Sequence, residues 1–124
     1  MKKRLKEYNI LDLVPQEYKP RIRSLNFFTY LYRRERSLDS LNDLPIVEPI
    51  DGRYYMGEGN NRAMFYLLNG IYTIRAEKRI INPKKNPIRI VVAKNISREL
   101  EMMGIRSFQD LISRIKDPEK FMVV

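Results

Sequence analysis

The sequence predicts an α+β fold, in which a small mixed sheet is flanked by helices and followed by a helical tail. About four or five short segments have the apolar and β-branched residues typical of strands, and about three or four repeat apolar residues at helical spacing. Their mixed order favours an α+β arrangement. At 124 residues with 44% hydrophobic side chains, the chain can bury one core. We therefore predict one domain over residues 1–124, with an α+β core over 8–93 and a tail over 94–124 packed on it.

The N-terminal third is predicted to form a strand and then a helix. Residues 8–11 have the composition of a short strand. Pro15 and Pro20 fix φ and interrupt a helix, so an extended connection should follow that strand. Ser24 can cap a helix over residues 25–36, whose apolar side chains fall on one face.

A hairpin and a second helix are predicted in the middle of the chain. Residues 44–50 and 53–56 have the pattern of two strands, and the Asp-Gly pair between them is typical of a tight hairpin turn. A helix is predicted over residues 61–69. Gly70 is placed to end this helix in the left-handed conformation.

The C-terminal part is predicted to add two strands and two helices. Residues 71–81 alternate as a long strand, and a basic loop separates them from a β-branched run at 88–92 that predicts another strand. Helices are predicted over 97–103 and 107–116, with a glycine between them. They resemble a DNA-reading helix-turn-helix only faintly, because the apolar residue after the glycine is one position late. We expect them to be packing helices.

The absence of cysteine and histidine narrows the possible chemistry. It excludes disulfides, thiolate zinc sites, thiol nucleophiles and a histidine base. Any reaction must use carboxylates, hydroxyls, lysine or arginine. No apolar run approaches the roughly 20 residues needed to span a bilayer, and no apolar signal region follows the basic start. We expect a cytoplasmic protein without a membrane partner.

The net charge of +9 is unevenly distributed. Residues 19–36 hold six basic and one acidic side chain, residues 75–98 hold eight and one, and residues 37–58 between them are acidic. Two such basic segments favour a polyanionic partner such as DNA. The alternative is an ordinary solvated surface. Four residues of the second segment are predicted to contact the phosphate backbone: Arg79, Lys84, Lys85 and Arg89.

The stretch from Gly57 to Arg62 is the strongest candidate for a site. Its two glycines let the backbone turn sharply and let a ligand approach closely. The helix that follows would point free N–H groups at an anion, and Arg62 can add a bidentate contact. The predicted phosphate-binding residues of this stretch are Gly57, Gly59, Asn60, Asn61 and Arg62.

Glu58 lies where an anion would be held. Its carboxylate would repel phosphate unless a cation bridged the two or the side chain acted as a base. The alternative for the whole stretch is a plain strand-to-helix turn, with Asn60 or Asn61 capping the helix.

The corner and its surroundings resemble the ParB/sulfiredoxin-like superfamily. In that family a Pro-Ile strand and a hairpin lead into a signature of the form Gly-Glu-Arg-Arg-x-Arg-Ala, and the next helix ends at a glycine. The matching signature residues are Gly57, Glu58, Arg62 and Ala63. The matching flanking residues are Pro20-Arg21, Pro45-Ile46 and Gly70. The resemblance covers roughly residues 8–81 and implies a compact domain of that fold.

The sequence also departs from the family pattern. The two consecutive arginines of the signature are Gly59 and Asn60 here, so two phosphate-binding charges are missing. Sulfiredoxins carry a cysteine in this corner, and its absence excludes sulfiredoxin reductase activity.

The resemblance implies a ParB-like protein that binds a nucleotide or the DNA phosphate backbone, in DNA maintenance, partition or regulation. It adds Arg21 of the Pro-Arg element to the predicted phosphate-binding residues. The alternative is a nucleotide-dependent phosphotransferase or nuclease, with Glu58 as catalytic base and Mg²⁺ as cofactor. Glu48, Asp51 and Glu58 could hold Mg²⁺ only if the fold gathers them. A third alternative is a small interaction protein whose corner has lost its ligand.

Overall fold

Five strands form one mixed sheet in the computed structural model, which describes residues 5–124. The strands are β1 (Leu5–Asn9), β2 (Leu13–Val14), β3 (Ile46–Ile50), β4 (Arg53–Glu58) and β5 (Thr73–Lys78). The helices are α1 (Ile22–Glu35), α2 (Asn60–Leu68), α3 (Pro87–Met102) and α4 (Phe108–Ile112). Two 3-10 turns cover Ile10–Asp12 and Pro118–Phe121. The predicted α+β class is confirmed.

The sheet is curled so that its two edges come close together. Its order is β1-β5-β3-β4-β2, and both parallel and antiparallel pairs occur in it. Strands β1 and β2 are the opposite edges, yet only the turn Ile10–Asp12 separates them along the chain. The rings of Tyr8 on β1 and Tyr54 on β4 accordingly meet edge to face, with centroids 5.5 Å apart.

The two faces of β2 and β4 are buried in different apolar clusters, because successive residues of a strand point to opposite faces. Leu13 and Met56 belong to the larger cluster, to which α1, α2 and α4 contribute. Val14 and Tyr55 belong to the smaller cluster, which includes Ala93 of α3. Helix α3 therefore packs on the face opposite to α2.

Phe65 of α2 is the aromatic centre of the larger cluster. It is fully buried, and its ring centroid lies 6.0 Å from that of Phe28 and 5.8 Å from that of Tyr32, both on α1. This packing fixes α1 beside α2, so the start of α1 lies next to the start of the helix that follows the glycine corner.

Two N-terminal elements begin and end at residues other than those predicted. Strand β1 ends at Asn9, whose side-chain oxygen accepts the N–H of Leu11 and turns the chain, so the strand predicted at 8–11 is wrong beyond that point. Helix α1 starts at Ile22 rather than after Ser24, because Arg21 is its first cap residue. The backbone N–H of Arg21 donates to Oδ1 of Asn61, which is 40 positions away in the sequence, and no local pattern predicts this contact.

The strand predicted over residues 88–92 is wrong. Helix α3 covers that segment and continues through the helix predicted at 97–103, so the division between core and tail at 93 falls inside one helix. Pro87 stands in its first turn, a position that proline favours. The buried residues Ala93, Ser97 and Leu100 recur at helical spacing, and this burial outweighs the strand preference of the β-branched residues.

The strand predicted over residues 71–81 is shorter than expected, since β5 covers only Thr73–Lys78. Several other predicted features agree with the structure. Asp51 and Gly52 both have positive φ, of 49° and 78°, as a tight hairpin turn requires. Ser107 caps α4 by accepting the N–H of Asp110, although α4 ends at Ile112 and not near residue 116. Across residues 5–124, no helix has both the length and the apolar character needed to cross a membrane.

The helical state of residues 88–92 can be tested with Ile88→Ala combined with Val91→Ala. Both side chains are exposed, and alanine has the higher helix propensity, so we expect the free energy of unfolding to rise by about 0.5–1 kcal/mol. Urea denaturation measures this change. The same substitutions in a strand would lower stability, so a decrease would contradict the helix.

Candidate functional site

The glycine corner joins β4 to α2 through Gly59, which only glycine can occupy without strain. Gly59 has φ of 98°, in the left-handed region. A Cβ atom there would lie 2.9 Å from Cβ of Pro45, which is closer than van der Waals contact allows. The sharp turn expected from the sequence is therefore present, and α2 starts immediately after it without a capping side chain on Gly59.

Gly57 has a packing role that the sequence does not reveal. A Cβ atom on Gly57 would lie 2.5 Å from Oε1 of Glu48. The space beside Gly57, where close approach of a ligand was expected, is filled by that carboxylate. Gly57 is thus needed because Glu48 of the neighbouring strand β3 packs across it.

Glu48 is a buried carboxylate held by two arginines. Its side chain is 1% exposed. Arg79 donates to Oε2 through Nε at 3.1 Å, and its Nη2 lies 3.0 Å from the same oxygen. Arg89 donates through Nε to Oε2 at 3.2 Å and through Nη2 to Oε1 at 2.5 Å. Charge-assisted hydrogen bonds of this kind offset the cost of burying the carboxylate.

The four residues predicted to contact nucleic acid are therefore in two different situations. Arg79 and Arg89 are engaged by Glu48, although their side chains remain 44% and 34% exposed. Lys84 and Lys85 lie in an exposed turn whose backbone N–H groups donate to the side chain of Asn82. Within residues 5–124, neither lysine ammonium group makes an ion pair.

Asn60 and Asn61 attach the segment before α1 to the start of α2. Oδ1 of Asn60 accepts the backbone N–H of Gln16 at 2.9 Å, and its Nδ2 donates to the carbonyl of Met56 at 3.1 Å. Oδ1 of Asn61 accepts the backbone N–H of Arg21 at 2.8 Å. Asn60 thus uses both ends of its amide in the fold. The Nδ2 group of Asn61 has no hydrogen-bond partner in the described part of the chain.

Arg62 is buried, yet no carboxylate neutralises it. The residue is 9% exposed, and its Nη2 donates to the carbonyl of Asp43 at 3.0 Å. Its Nε has no hydrogen-bond partner, and no carboxylate of residues 5–124 forms an ion pair with it. A guanidinium keeps its charge at physiological pH, so Arg62 is a desolvated cation without a counter-ion among residues 5–124.

These groups border a cavity of about 360 Å³, which we call the corner cavity. It lies at the N-terminal end of α2, where the first backbone N–H groups carry partial positive charge. The residues around it are Glu17, Arg21, Ser24, Phe28, Asp43, Gly57, Glu58, Gly59, Asn60, Asn61 and Arg62. All six residues predicted to bind phosphate, together with Glu58, are therefore brought to one place.

The charges around the corner cavity are mixed. Arg21 lies 3.6 Å from a carboxylate oxygen of Glu17, so part of its charge is already compensated. Glu58 is exposed, and its carboxylate makes no ion pair with any residue that the structure describes. Asp43 adds a further carboxylate, and its backbone carbonyl accepts a hydrogen bond from Arg62.

The three carboxylates considered for Mg²⁺ are not gathered. Glu48 binds Arg79 and Arg89, and Asp51 forms an ion pair with Lys94. In the range 5–124, no group of three potential metal-ligating side chains is close enough to hold an ion. A divalent cation at the corner would therefore need ligands from a bound phosphate.

Comparisons with known proteins add no family to this description. No protein-family model matches the chain, and no curated protein does. Among solved structures, the chain is similar to the crystal structure of protein Atu1540 from Agrobacterium tumefaciens, at 16% sequence identity and a TM-score of 0.49. The match covers 75% of this chain and 48% of that one, so this chain spans about half the length of that structure. A likeness of this size carries no argument about function.

The packing role of Gly57 can be tested with Gly57→Ala. The added methyl group would meet the carboxylate of Glu48, which two arginines hold in place, so we expect the free energy of unfolding to fall by about 1–3 kcal/mol. In a Glu48→Ala background, the same change should cost much less, since the clashing atoms are gone. Chemical denaturation of wild type, the two single variants and the double variant measures the coupling free energy between positions 57 and 48. An equal loss of stability from Gly57→Ala in both backgrounds would contradict this role.

Proposed function

We propose that the corner cavity binds a phosphate group of DNA or of a nucleotide, and that the chain acts as a ParB-like phosphate-binding protein. The observation that supports this proposal most strongly is Arg62. The residue is almost wholly buried, is one of those that line the cavity, and has no carboxylate partner among the described residues. Burying a cation in this way costs several kcal/mol unless an anion is supplied, and a phosphate would supply one.

Other donors of the corner are suited to the same ligand. The first turn of α2 offers backbone N–H groups, and Asn61 has a free Nδ2 group. Helix N-termini bind phosphate readily because these N–H groups and the helix dipole act together. Arg62 adds a guanidinium, the planar group whose N–H donors match phosphate oxygens. Two kinds of neutral donor and one cation can therefore converge on a single phosphate.

The carboxylates at the rim limit which phosphate fits. Glu17, Asp43 and Glu58 outnumber the two arginines, Arg21 and Arg62, so the formal charge of the side chains around the cavity is slightly negative. Like-charge repulsion grows with the charge of the ligand. A phosphodiester of the DNA backbone carries one negative charge and is repelled less than a free triphosphate. DNA is therefore the ligand that we favour, and a nucleotide would bind best with a divalent cation.

Glu58 supports a second candidate function. It is an exposed carboxylate on the same cavity as Arg62, and it is free of ion pairs within the described chain. A base beside a phosphate holder is the arrangement that a phosphotransferase or nuclease uses. Binding and catalysis at this corner predict different behaviour for a variant that lacks the Glu58 charge.

The binding proposal is tested by Arg62→Met, with Arg98→Met as a matched control on an exposed site of α3. We expect Arg62→Met to weaken binding of labelled DNA, followed by fluorescence anisotropy, at least tenfold. It should leave the stability of the ligand-free protein unchanged or raise it by about 1 kcal/mol, because an unpaired buried cation is removed. The control removes the same charge, so the proposal is wrong if both variants bind DNA equally well.

Glu58→Gln distinguishes the module from the enzyme, with Glu119→Gln as an exposed control of equal charge change. For a binding module, loss of the repelling carboxylate should tighten DNA binding several-fold, and neither wild type nor variant should turn over DNA or nucleotide. For an enzyme, wild type should show cleavage or phosphotransfer with Mg²⁺, and Glu58→Gln should abolish it. Assays of both activities on the same preparations decide between the two functions.

A further inference from the structure

A second cavity of about 600 Å³ lies beside the corner cavity, between the end of α1, the side of α2 and the β1–β5 edge of the sheet. Small organic ligands occupy cavities of about 300–1,000 Å³. We call this space the edge cavity. The chain creates it at Arg36, which caps α1 in the left-handed conformation with φ of 59° and sends the backbone back over residues 37–45.

The walls of the edge cavity combine apolar surface with aromatic rings. Leu38 is buried in the core, and Leu41 and Leu44 line the cavity from the returning segment. Tyr32 of α1 and Tyr66 of α2 also line the cavity. The hydroxyl groups of these two tyrosines have no hydrogen-bond partner in the described residues. The cavity therefore offers an apolar surface together with hydroxyl groups that have no hydrogen-bond partner among the described residues.

Three arginines also line the edge cavity, and none is neutralised by contact. Arg36, Arg62 and Arg75 border it, against the two carboxylates Glu7 and Asp39. For residues 5–124, no guanidinium of the three lies within ion-pair distance of a carboxylate. Of these three arginines, Arg62 is buried, and its Nε has no hydrogen-bond partner within residues 5–124. The balance of charge on this cavity is thus positive.

The polar groups of the edge cavity influence one another. Burial raises the pKa of the Tyr66 hydroxyl, while Arg62 lowers that pKa and Asp39 and Tyr32 raise it further. These residues come from α1, α2 and the returning segment, so the cavity brings together charges from three parts of the chain.

We propose that the edge cavity binds a small aromatic anion, with its acidic group among Arg36, Arg62 and Arg75 and its ring against Tyr32, Tyr66 and the leucines. Guanidinium groups bind planar acidic groups through paired N–H donors and also stack on aromatic rings. Aromatic pairs add an edge-to-face or offset attraction beyond apolar burial. A ligand with one acidic group and one or two fused rings meets both requirements. This site shares Arg62 with the phosphate site proposed at the corner, and its other lining residues are its own.

The probe for this proposal is 8-anilinonaphthalene-1-sulfonate, an aromatic anion whose fluorescence rises on transfer to an apolar site. N-phenyl-1-naphthylamine has nearly the same rings without the sulfonate and serves as the uncharged comparison. Both probes are titrated into the intact wild-type chain and into two double variants. The first is Arg36→Gln with Arg75→Gln, and the second is Arg33→Gln with Arg98→Gln, which removes the same charge at exposed sites outside the cavity.

We expect wild type to bind the sulfonate probe at least tenfold more tightly than the uncharged probe. Arg36→Gln with Arg75→Gln should weaken sulfonate binding at least tenfold and leave binding of the uncharged probe unchanged. The control double variant should stay within about twofold of wild type, as expected for screened surface charge. Equal loss in both double variants, equal affinity for the two probes, or no binding by wild type would each overturn the proposal.

Discussion

The contact of Glu48 with Arg79 and Arg89 is the interaction on which the rest of the structure depends. Glu48 lies on the central strand β3, Arg79 directly follows β5, and Arg89 is in the first turn of α3. A buried carboxylate that loses its partners is strongly destabilising, so these three elements must meet at one point. The same carboxylate occupies the space beside Gly57. Packing against Glu48 therefore explains the glycine at this position of the Gly57–Ala63 stretch.

The polar residues at the start of α2 divide into those that hold the fold and those with unused groups. Oδ1 of Asn60 and Oδ1 of Asn61 accept hydrogen bonds from the backbone before α1. A glycine is required at position 59 because φ is positive there and Pro45 lies close to it. The groups left over are the Nδ2 of Asn61, the Nε of Arg62 and the N–H groups of the first turn. All of these are donors. These donors are suited to an anion, against the repulsion of the carboxylates of Glu17, Asp43 and Glu58 at the same cavity. The hydrogen bonds that Asn60 and Asn61 make within the fold hold the donors in place.

The sequence was sufficient for features that local chemistry determines. The tight hairpin turn and the glycine corner followed from turn residues and spacing. The proximity of Arg21 to Arg62 was expected only from the family resemblance. The sequence did not predict the features that are determined by contacts between residues distant in the chain. The start of α1 depends on Asn61, and the helical state of residues 88–92 depends on burial of Ala93 against the sheet. The pairing of Glu48 with two arginines was equally hidden, because its members are 31 and 41 positions apart.

Arg62 is part of the wall of both the corner cavity and the edge cavity, and this shared position links the two proposed sites. A single guanidinium supplies a fixed amount of positive charge, so an anion in one cavity would lower the attraction for an anion in the other. Such coupling is reciprocal for binding free energies, whichever ligand arrives first. The low exposure of Arg62 strengthens the effect, since little water screens the interaction. A phosphate at the corner and an aromatic anion at the edge would therefore oppose each other, which would make Arg62 a point of regulation as well as of binding.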